Sequence, residues 1–178
     1  MNAFVVPAEA GTQLDSRGHG NDENRPRREF LTCRLGGETY GIDILQVQEI
    51  REIDRVTRVP QVAAFVRGVV NLRGAIVPIV DLGLMFGFEQ PIPLHAASAI
   101  VLNVEGRLVG LAVESVSDVV ALADEEILAA PELAGRSIAG AIAGIGARKE
   151  AAGGEAQSGS ILLMDVDHIM RRIRTERA

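Results

Sequence analysis

The sequence predicts a mostly β fold in which one small unit occurs twice. Three observations lead to this expectation: short β-branched segments separated by glycine-containing turns, a lack of aromatic residues, and two stretches that match at a constant offset. Of the 178 residues, 47% are hydrophobic but only 3% are aromatic, so the core has to consist of valine, isoleucine, leucine and alanine. We expect each half to form a small barrel or curled sheet of about five strands, followed by a short helical turn.

The first strands follow an N-terminal stretch that is poor in apolar residues. Residues 1–28 are rich in Gly, Asn, Asp, Pro and Arg, which predicts a disordered tail without the long apolar run of a secretory signal. From Phe30 the chain reads FLTCRL, then GGE at 36–38, then TYGIDI, and this order predicts a β-hairpin. The folded domain is therefore expected to begin near residue 29.

The stretch RGVVNLRGAIVPIVDL at 67–82 predicts two buried strands joined by a turn. The apolar pattern is interrupted by Asn71 and Arg73, which are unusual residues to place between two buried strands. Two interpretations are open. The turn is either purely structural with one solvated charge, or it presents these side chains to a partner.

An internal duplication accounts for the spacing of the strands. The segment GETYGIDILQVQEI at 37–50 matches GRLVGLAVESVSDV at 106–119 at an offset of 69 residues, and PIVDLGLMF at 78–86 matches LLMDVDHIM at 162–170. The coinciding residues are Gly37 with Gly106, Gly41 with Gly110, Val47 with Val116, Glu49 with Asp118, Gly68 with Gly144 and Asp81 with Asp165. We expect the two repeated aspartates to cap turns rather than to form a catalytic pair.

The C-terminal part predicts one loop and one helix. ARKEAAGGEAQSGS at 147–160 is small, polar and glycine-rich, which favours a flexible hairpin loop. In VDHIMRRIRTER the apolar residues recur at i, i+3, i+4 and i+7, which predicts an amphipathic helix that packs on the second half. Its three arginines, Arg171, Arg172 and Arg174, are expected to face solvent.

The charge distribution excludes some classes of partner. The net charge of −6 falls entirely on residues 29–178, because acids and arginines balance in the first 28 residues. An acidic domain with few aromatics is a poor nucleic-acid binder. Five arginines lie within 51–73, whereas 114–132 contain six acidic residues and no basic one. These are either two solvated faces or two ends that contact different partners.

The residues that usually support catalysis or metal binding do not form a recognisable motif. His19, His95 and His168 lack metal-ligand spacing, and Cys33 has no second cysteine near it. The single cysteine excludes an internal disulfide and fits a reducing cytoplasm, where we expect a buried, inert thiol. No phosphate-binding loop or nucleophile motif is present, and no apolar run would span a bilayer. We therefore expect neither an enzyme nor a cofactor.

Five segments in a fixed order resemble the CheW-type chemotaxis coupling proteins. They run from about Glu29 to Arg172 and read LGGETYGIDILQVQEI, VTRVPQVAAFVRGVVNLRGAIVPIVDL, VESVSDVVAL, IAGIG and ILLMDVDHI. The resemblance implies two interlocked five-stranded SH3-like β-barrels with short helices and a C-terminal amphipathic helix. It also implies a single domain over 29–178, with intertwined halves at about 29–95 and 96–178.

The resemblance further implies a non-enzymatic adaptor of two-component signalling. Such proteins hold a CheA-type histidine kinase to the cytoplasmic tips of methyl-accepting chemoreceptors. The adaptor is expected to be monomeric alone, to form rings with the kinase regulatory domain, and to be cytoplasmic but recruited to receptor arrays at the inner face of the membrane. The alternative from the residues themselves is a small-ligand sensor or regulatory binding module on the same fold.

By the same resemblance, particular residues are expected to contact each partner. The groove between the barrels would receive the receptor's helical hairpin tip. The candidate receptor-binding residues are Val47, Glu49, Gly68, Asn71 and Arg73, with a salt bridge between Glu49 and Arg73. Gly68 would be glycine because a side chain would block the approach of a helix. The candidate kinase-binding residues are Gly110 and Val116.

Overall fold

The strands of the protein form two sheets. A computed structural model describes residues 26–130, 140–147 and 159–176. The strands are β1 (Arg27–Leu35), β2 (Glu38–Asp43), β3 (Val47–Glu52), β4 (Val66–Leu72), β5 (Ala75–Asp81), β6 (Ser98–Val104), β7 (Arg107–Val113), β8 (Ser115–Ala123), β9 (Ile127–Ala129), β10 (Ile142–Ala147) and β11 (Ser160–Met164). The α-helices are α1 (Leu82–Met85) and α2 (Val166–Thr175). The prediction of a mostly β fold is confirmed.

The boundaries of the tail and the loop differ slightly from the predicted ones. β1 begins at Arg27, so the last two residues of the predicted tail belong to a strand. Ala147 and Ser160, the ends of the predicted loop, face each other as the last pair of the β10–β11 ladder. Residues 1–25 and 148–158, which make up the rest of the tail and loop, lie outside the described residues. His19 lies there too.

Each sheet takes strands from both halves of the chain. The six-stranded sheet has the order β8-β1-β2-β11-β10-β9, and the five-stranded sheet has the order β3-β6-β7-β5-β4. The strands β1 to β5 of the first half correspond to β6, β7, β8, β10 and β11 of the second. With this matching, the order β8-β1-β2-β11-β10 in one sheet is equivalent to β3-β6-β7-β5-β4 in the other, and of the described strands only β9 has no counterpart. This correspondence supports the duplication predicted from the sequence. Each half gives its first hairpin to one sheet and its later strands to the other.

Two parallel ladders connect the exchanged strands. β2 pairs with β11, and β5 pairs with β7, whereas the other ladders between described strands are antiparallel. Both halves also share a β-bulge at the same place, between Val66 and Gly68 in one and between Ile142 and Gly144 in the other. The repeated unit therefore keeps its irregularities as well as its strand order.

The largest core cluster joins the two sheets and α2. Leu35 and Ile42 come from the six-stranded sheet, Ile100 and Leu111 from the five-stranded sheet, and Ile169 from α2, and all are fully buried. The amphipathic pattern of α2 is confirmed, since its buried residues are Val166, Ile169, Met170 and Ile173. No helix among the described residues is long and apolar enough to cross a membrane.

One of the three helix arginines does not face solvent as predicted. Arg172 is half-buried and its Nη1 donates a hydrogen bond to the backbone carbonyl of Met85, at 2.8 Å. Its guanidinium also lies 5.9 Å from the centre of the Phe65 ring. Because Met85 ends α1, this contact joins the last helix to the middle of the chain.

The two repeated aspartates cap their helices, as predicted. Asp81 Oδ1 accepts a hydrogen bond from the backbone N–H of Leu84 at 3.0 Å, and Asp165 Oδ1 accepts one from His168 at 2.8 Å. Asp81 has a further role, because its Oδ2 accepts from Arg67 Nη1 at 2.8 Å and from the Ile92 N–H at 2.9 Å. Asp81 is fully buried, so this ion pair fixes β4, β5, α1 and the following loop together.

Cys33 is a core residue and not a reactive thiol. It is fully buried in β1, and desolvation raises the pKa of its thiol from 9.0 to about 12. Since the thiolate is the nucleophilic form, both burial and protonation suppress its chemistry.

We predict that Asp81→Ala destabilises the protein much more than the same change at its repeat equivalent, Asp165. At Asp81 the change removes a helix cap and leaves the half-buried Arg67 without its carboxylate, which should cost about 3 kcal/mol or more. At Asp165 the change removes the cap alone, at a cost of about 1 kcal/mol. Urea unfolding of both variants measures the difference. Equal losses of stability would contradict the structural role given to the buried pair.

We also predict that the native protein reacts very slowly with Ellman's reagent at pH 8. With a thiol pKa of about 12, roughly one chain in ten thousand carries the thiolate at that pH. The absorbance of the released thionitrobenzoate measures the rate at which Cys33 reacts. Unfolding in guanidinium chloride should expose one reactive thiol per chain, and rapid reaction without denaturant would show that Cys33 is accessible.

Candidate functional site

The turn between β4 and β5 displays an arginine on a strained backbone. Leu72 pairs with Ala75, and the two residues between them have positive φ angles, 52° for Arg73 and 89° for Gly74. This is the pattern of a type I′ hairpin turn. A non-glycine residue in this region costs about 1–2 kcal/mol. The side chain of Asn71 offsets part of this cost, because its Oδ1 accepts a hydrogen bond from the Gly74 N–H at 2.8 Å.

Arg73 forms the salt bridge that the resemblance implied. Its Nη2 lies 3.2 Å from Oε2 of Glu49, which belongs to β3. β3 and β4 are the two edge strands of the five-stranded sheet, so this contact brings the edges together and closes the curled sheet at this end. The Arg73 side chain is 79% exposed, and such an exposed pair contributes at most about 1 kcal/mol.

Glu49 is held more tightly than its partner. Its side chain is only 20% exposed, and its second oxygen, Oε1, is buried without a hydrogen bond among the described residues. Val47 lies two residues earlier, at the start of β3, where it is half-buried against the core and opposite Leu102. Glu49 therefore anchors the exposed guanidinium of Arg73, while Val47 packs against the core at the start of the same strand.

Gly68 is glycine for a reason different from the predicted one. It adopts a φ of 140°, and a side chain there would overlap the carbonyl oxygen of Thr57. The Val56 side chain would also lie 2.6 Å from the added carbon. Thr57 and Val69 exchange two backbone hydrogen bonds of 2.9 and 2.8 Å, which hold this segment against β4. The space at Gly68 is thus filled by the protein's own chain and is not open to a helix.

The two candidate kinase-binding residues lie on different sheets. Gly110 is buried in β7, a central strand between β5 and β6, and a side chain there would meet Cδ1 of Ile79 at 2.6 Å. Because β7 has neighbours on both sides, Gly110 lies in a packed core strand and not at a sheet edge. Val116 does lie on an edge strand, β8, where it is half-buried opposite Cys33.

A cavity that the sequence did not reveal lies beside the turn. It has a volume of about 480 Å³ and lies between the chain after β3 and strands β4, β5 and β6. The apolar part of its wall consists of Ile53, Val69, Val70, Leu72, Ile79, Ala99 and Val101. Arg51, Arg55 and Asn71 also line it, so the candidate turn forms part of its border. Sequence periodicity could not show this cavity, because its wall comes from both halves.

The uneven distribution of charge has a partly structural explanation. Within the acidic stretch, Glu114 accepts a hydrogen bond from the Gly36 N–H at 2.9 Å, and Glu126 accepts one from the Ala123 N–H at 2.9 Å. In the basic stretch, Arg51, Arg55 and Arg58 are exposed and form no ion pair within the described part of the chain. The described ranges also contain no cluster of His, Cys, Asp or Glu side chains suited to a metal ion.

Comparison with known proteins identifies the family. A model of the CheW-like domain matches residues 29–174. Chemotaxis protein CheW of Klebsiella aerogenes is 42% identical over 143 residues, which cover 80% of this chain and 81% of that protein. Chemotaxis protein CheW of Rhizobium meliloti is 38% identical over 107 residues, covering 60% and 69%. The crystal structure of the scaffolding protein TtCheW from Thermoanaerobacter tengcongensis matches with a TM-score of 0.67 at 25% identity, covering 79% of this chain and 90% of that one.

These similarities extend over the whole of the exchanged two-sheet fold. The matched region begins at residue 29, within β1, and ends at 174, within α2, so it includes the ordered turn and both halves. Proteins of this kind are non-catalytic scaffolds, which confirms the prediction that the chain is not an enzyme. From its sequence, its fold and its relatives, the chain belongs to the CheW-like family.

Proposed function

We propose that this protein couples the cytoplasmic tips of chemoreceptors to a CheA-type histidine kinase. Membership of the CheW-like family makes it a chemotaxis adaptor, and the relatives named above are chemotaxis and scaffolding proteins. The observation that carries the finer proposal is the β4–β5 turn, where Asn71 and Glu49 hold an exposed Arg73 in place. Because so exposed an ion pair contributes little to folding, contact with a partner gives a reason for holding Arg73 in this position.

The receptor surface is proposed to centre on Arg73 and Asn71. Both are exposed, and the guanidinium offers a planar set of donors to a carboxylate or to the carbonyls at a helix end. Glu49 and Val47 contribute indirectly. Glu49 positions Arg73 through the salt bridge, and Val47 fixes the start of β3 by packing against the core. Gly68 acts by allowing Thr57 to pack on β4, so it shapes the surface without touching the receptor.

The kinase surface is proposed to include the edge strand β8. Val116 lies on this strand, and Val119, three residues further on, is half exposed. An edge strand with exposed apolar residues is suited to strand pairing or to apolar packing with a partner. Gly110 contributes indirectly in this proposal, because its missing side chain lets Ile79 pack between the strands.

The repeated fold suits assembly between unlike neighbours. The two halves share a strand order, yet one carries the exposed arginines of 51–58 and the other the acids of 114–126. Heterologous contacts of this kind close into rings when the rotation permits. We therefore propose that the adaptor is monomeric alone, forms rings with the kinase regulatory domain, and is cytoplasmic but recruited to receptor arrays at the inner face of the membrane.

A small-ligand sensor is the second candidate function. The observation that favours it is the cavity of about 480 Å³ beside the turn, which falls in the usual range of ligand pockets. A thermal-shift screen with metabolite mixtures tests this candidate, since a ligand that binds the folded state raises Tm. The adaptor role does not require such a ligand.

We predict that Arg73→Glu abolishes receptor-dependent activation of the kinase but leaves the fold intact. The change places two carboxylates near each other on an exposed turn, so its effect on stability should be below about 1 kcal/mol. Kinase turnover in a mixture of receptor membranes, adaptor and kinase measures the effect. Normal coupling by the variant would show that the turn has no part in binding.

The β6–β7 turn provides a matched control for this experiment. Glu105 is an exposed non-glycine residue with a φ of 53°, and it precedes Gly106 in the same way that Arg73 precedes Gly74. Glu105→Arg therefore reverses a charge on an equivalent backbone in a turn outside the proposed surface. We expect this variant to couple normally.

We also predict that removal of residues 1–25 changes neither stability nor coupling. The match to the family begins at residue 29, and β1 begins at Arg27, where Arg28 forms a salt bridge with Asp43. Truncation before Pro26 preserves these contacts. Thermal unfolding and kinase turnover of the shortened protein test the prediction, and a loss of coupling would place a binding site in the tail.

A further inference from the structure

The two halves differ at one buried position that lies inside each sheet. Residue 30 of β1 corresponds to residue 99 of β6 at the repeat offset, and the first is phenylalanine while the second is alanine. Phe30 packs with Leu122, Ile161 and Leu163 in a closed cluster within the six-stranded sheet, where all four are buried. The same strand order thus encloses a large ring in one sheet and a single methyl group in the other.

The cavity beside the turn occupies the place that Phe30 fills in the other half. Its wall contains Ala99, Ile53 and Ile79, which correspond to Phe30, Leu122 and Leu163. A cavity of about 150 Å³ is enough to hold benzene, so about 480 Å³ accommodates a bulky side chain together with part of its helix. The substitution of a small residue for a large one contributes to the opening.

The rim of the cavity also differs between the halves. Arg51 lies at the position of Val120, and Arg55 at the position of Asp124. Both arginines line the cavity and are exposed, and neither forms an ion pair with another described residue. Glu52 and Asp54 alternate with them, so the rim presents an ordered arrangement of charges rather than a net charge.

The β4–β5 hairpin also carries exposed apolar surface beside Asn71. Asn71 borders the cavity, and Ile76, directly opposite it across the hairpin, is 64% exposed. Directly opposed residues in an antiparallel pair lie on the same face of the sheet. Ile76 is not part of the cavity wall, so it adds exposed apolar surface next to Asn71 and not next to Ile79.

We propose that this cavity receives a bulky apolar side chain from the helical receptor segment, with a carboxylate near it on the helix pairing with Arg51 or Arg55. The inference rests on the proposed function and names the chemistry that the receptor would present at that site. Helices that bind in grooves use a few apolar anchors on one face. In this arrangement the anchor supplies affinity, and the rim charges fix its register.

Ala99→Phe tests the inference directly, because the equivalent position already holds phenylalanine. We expect the variant to fold and to bind the kinase normally, while its affinity for receptor membranes falls at least tenfold. Ala129→Phe, at an exposed position on β9, adds the same side chain elsewhere and should bind the receptor normally. A folded Ala99→Phe protein that binds the receptor as tightly as the wild type would overturn the proposal.

A second pair of variants keeps the inference testable if Ala99→Phe does not fold. Arg55→Glu changes an exposed, unpaired side chain and should weaken receptor binding severalfold, most strongly at low salt. Asp124→Arg makes the opposite change at the corresponding position of the other half and should leave the affinity for receptor membranes unchanged. The inference is also rejected if the single variants Arg51→Glu and Arg55→Glu both bind receptor membranes as tightly as the wild type does.

Two further readings separate this proposal from its alternatives. The apolar dye anilinonaphthalene sulfonate provides the first of these measurements. If the wild type binds the dye and Ala99→Phe does not, while both bind the receptor equally well, the cavity is a small-molecule site and the proposal is overturned. If the wild-type protein itself fails to bind receptor membranes, then the proposed function fails. If the wild type binds receptor membranes, Arg73→Glu does not, and Ala99→Phe binds them normally, then the proposed role of the cavity is refuted but the proposed function is not.

Discussion

Each half of the protein exchanges strands with the other, and this exchange holds both sheets together. β5 completes its sheet only by pairing in parallel with β7, and β11 only by pairing with β2. Neither half can therefore bury its apolar strands without the other, and the main core consists of residues from both sheets. The exchange also fixes the position of the β4–β5 hairpin, because β7 of the second half pairs with the edge of β5 that faces away from β4.

The β4–β5 hairpin has an ion pair at each end, and the two differ in character. At the end next to α1, Arg67 binds the fully buried Asp81, which also receives two backbone hydrogen bonds. At the turn, the Arg73–Glu49 pair is mostly exposed on the arginine side. A buried pair with satisfied hydrogen bonds fixes geometry, whereas an exposed pair can be rearranged at little cost. The hairpin thus has a rigid base and a tip that can respond to a partner.

Local patterns in the sequence were sufficient for some features but not for others. The mostly β character, the helix caps at Asp81 and Asp165, the buried face of α2 and the burial of Cys33 follow from residues close together in the chain, and these were predicted correctly. The burial of Gly110 and the contact of Arg172 with Met85 depend on which strands the exchange brings together. The same holds for the contact of Gly68 with Thr57 and for the cavity at Ala99, which periodicity cannot reveal. The Glu49–Arg73 pair was predicted only through resemblance to a family.

Co-sedimentation with receptor membranes shows whether the protein links receptor and kinase. Purified protein would be sedimented with membranes that carry receptors, with and without the kinase, and kinase turnover would be measured in the same mixtures. An adaptor of this kind should sediment only when receptor is present, and it should raise both the recovery and the turnover of the kinase in the complete mixture. Sedimentation that is independent of receptor, or kinase turnover that does not change when the protein is added, would contradict this role.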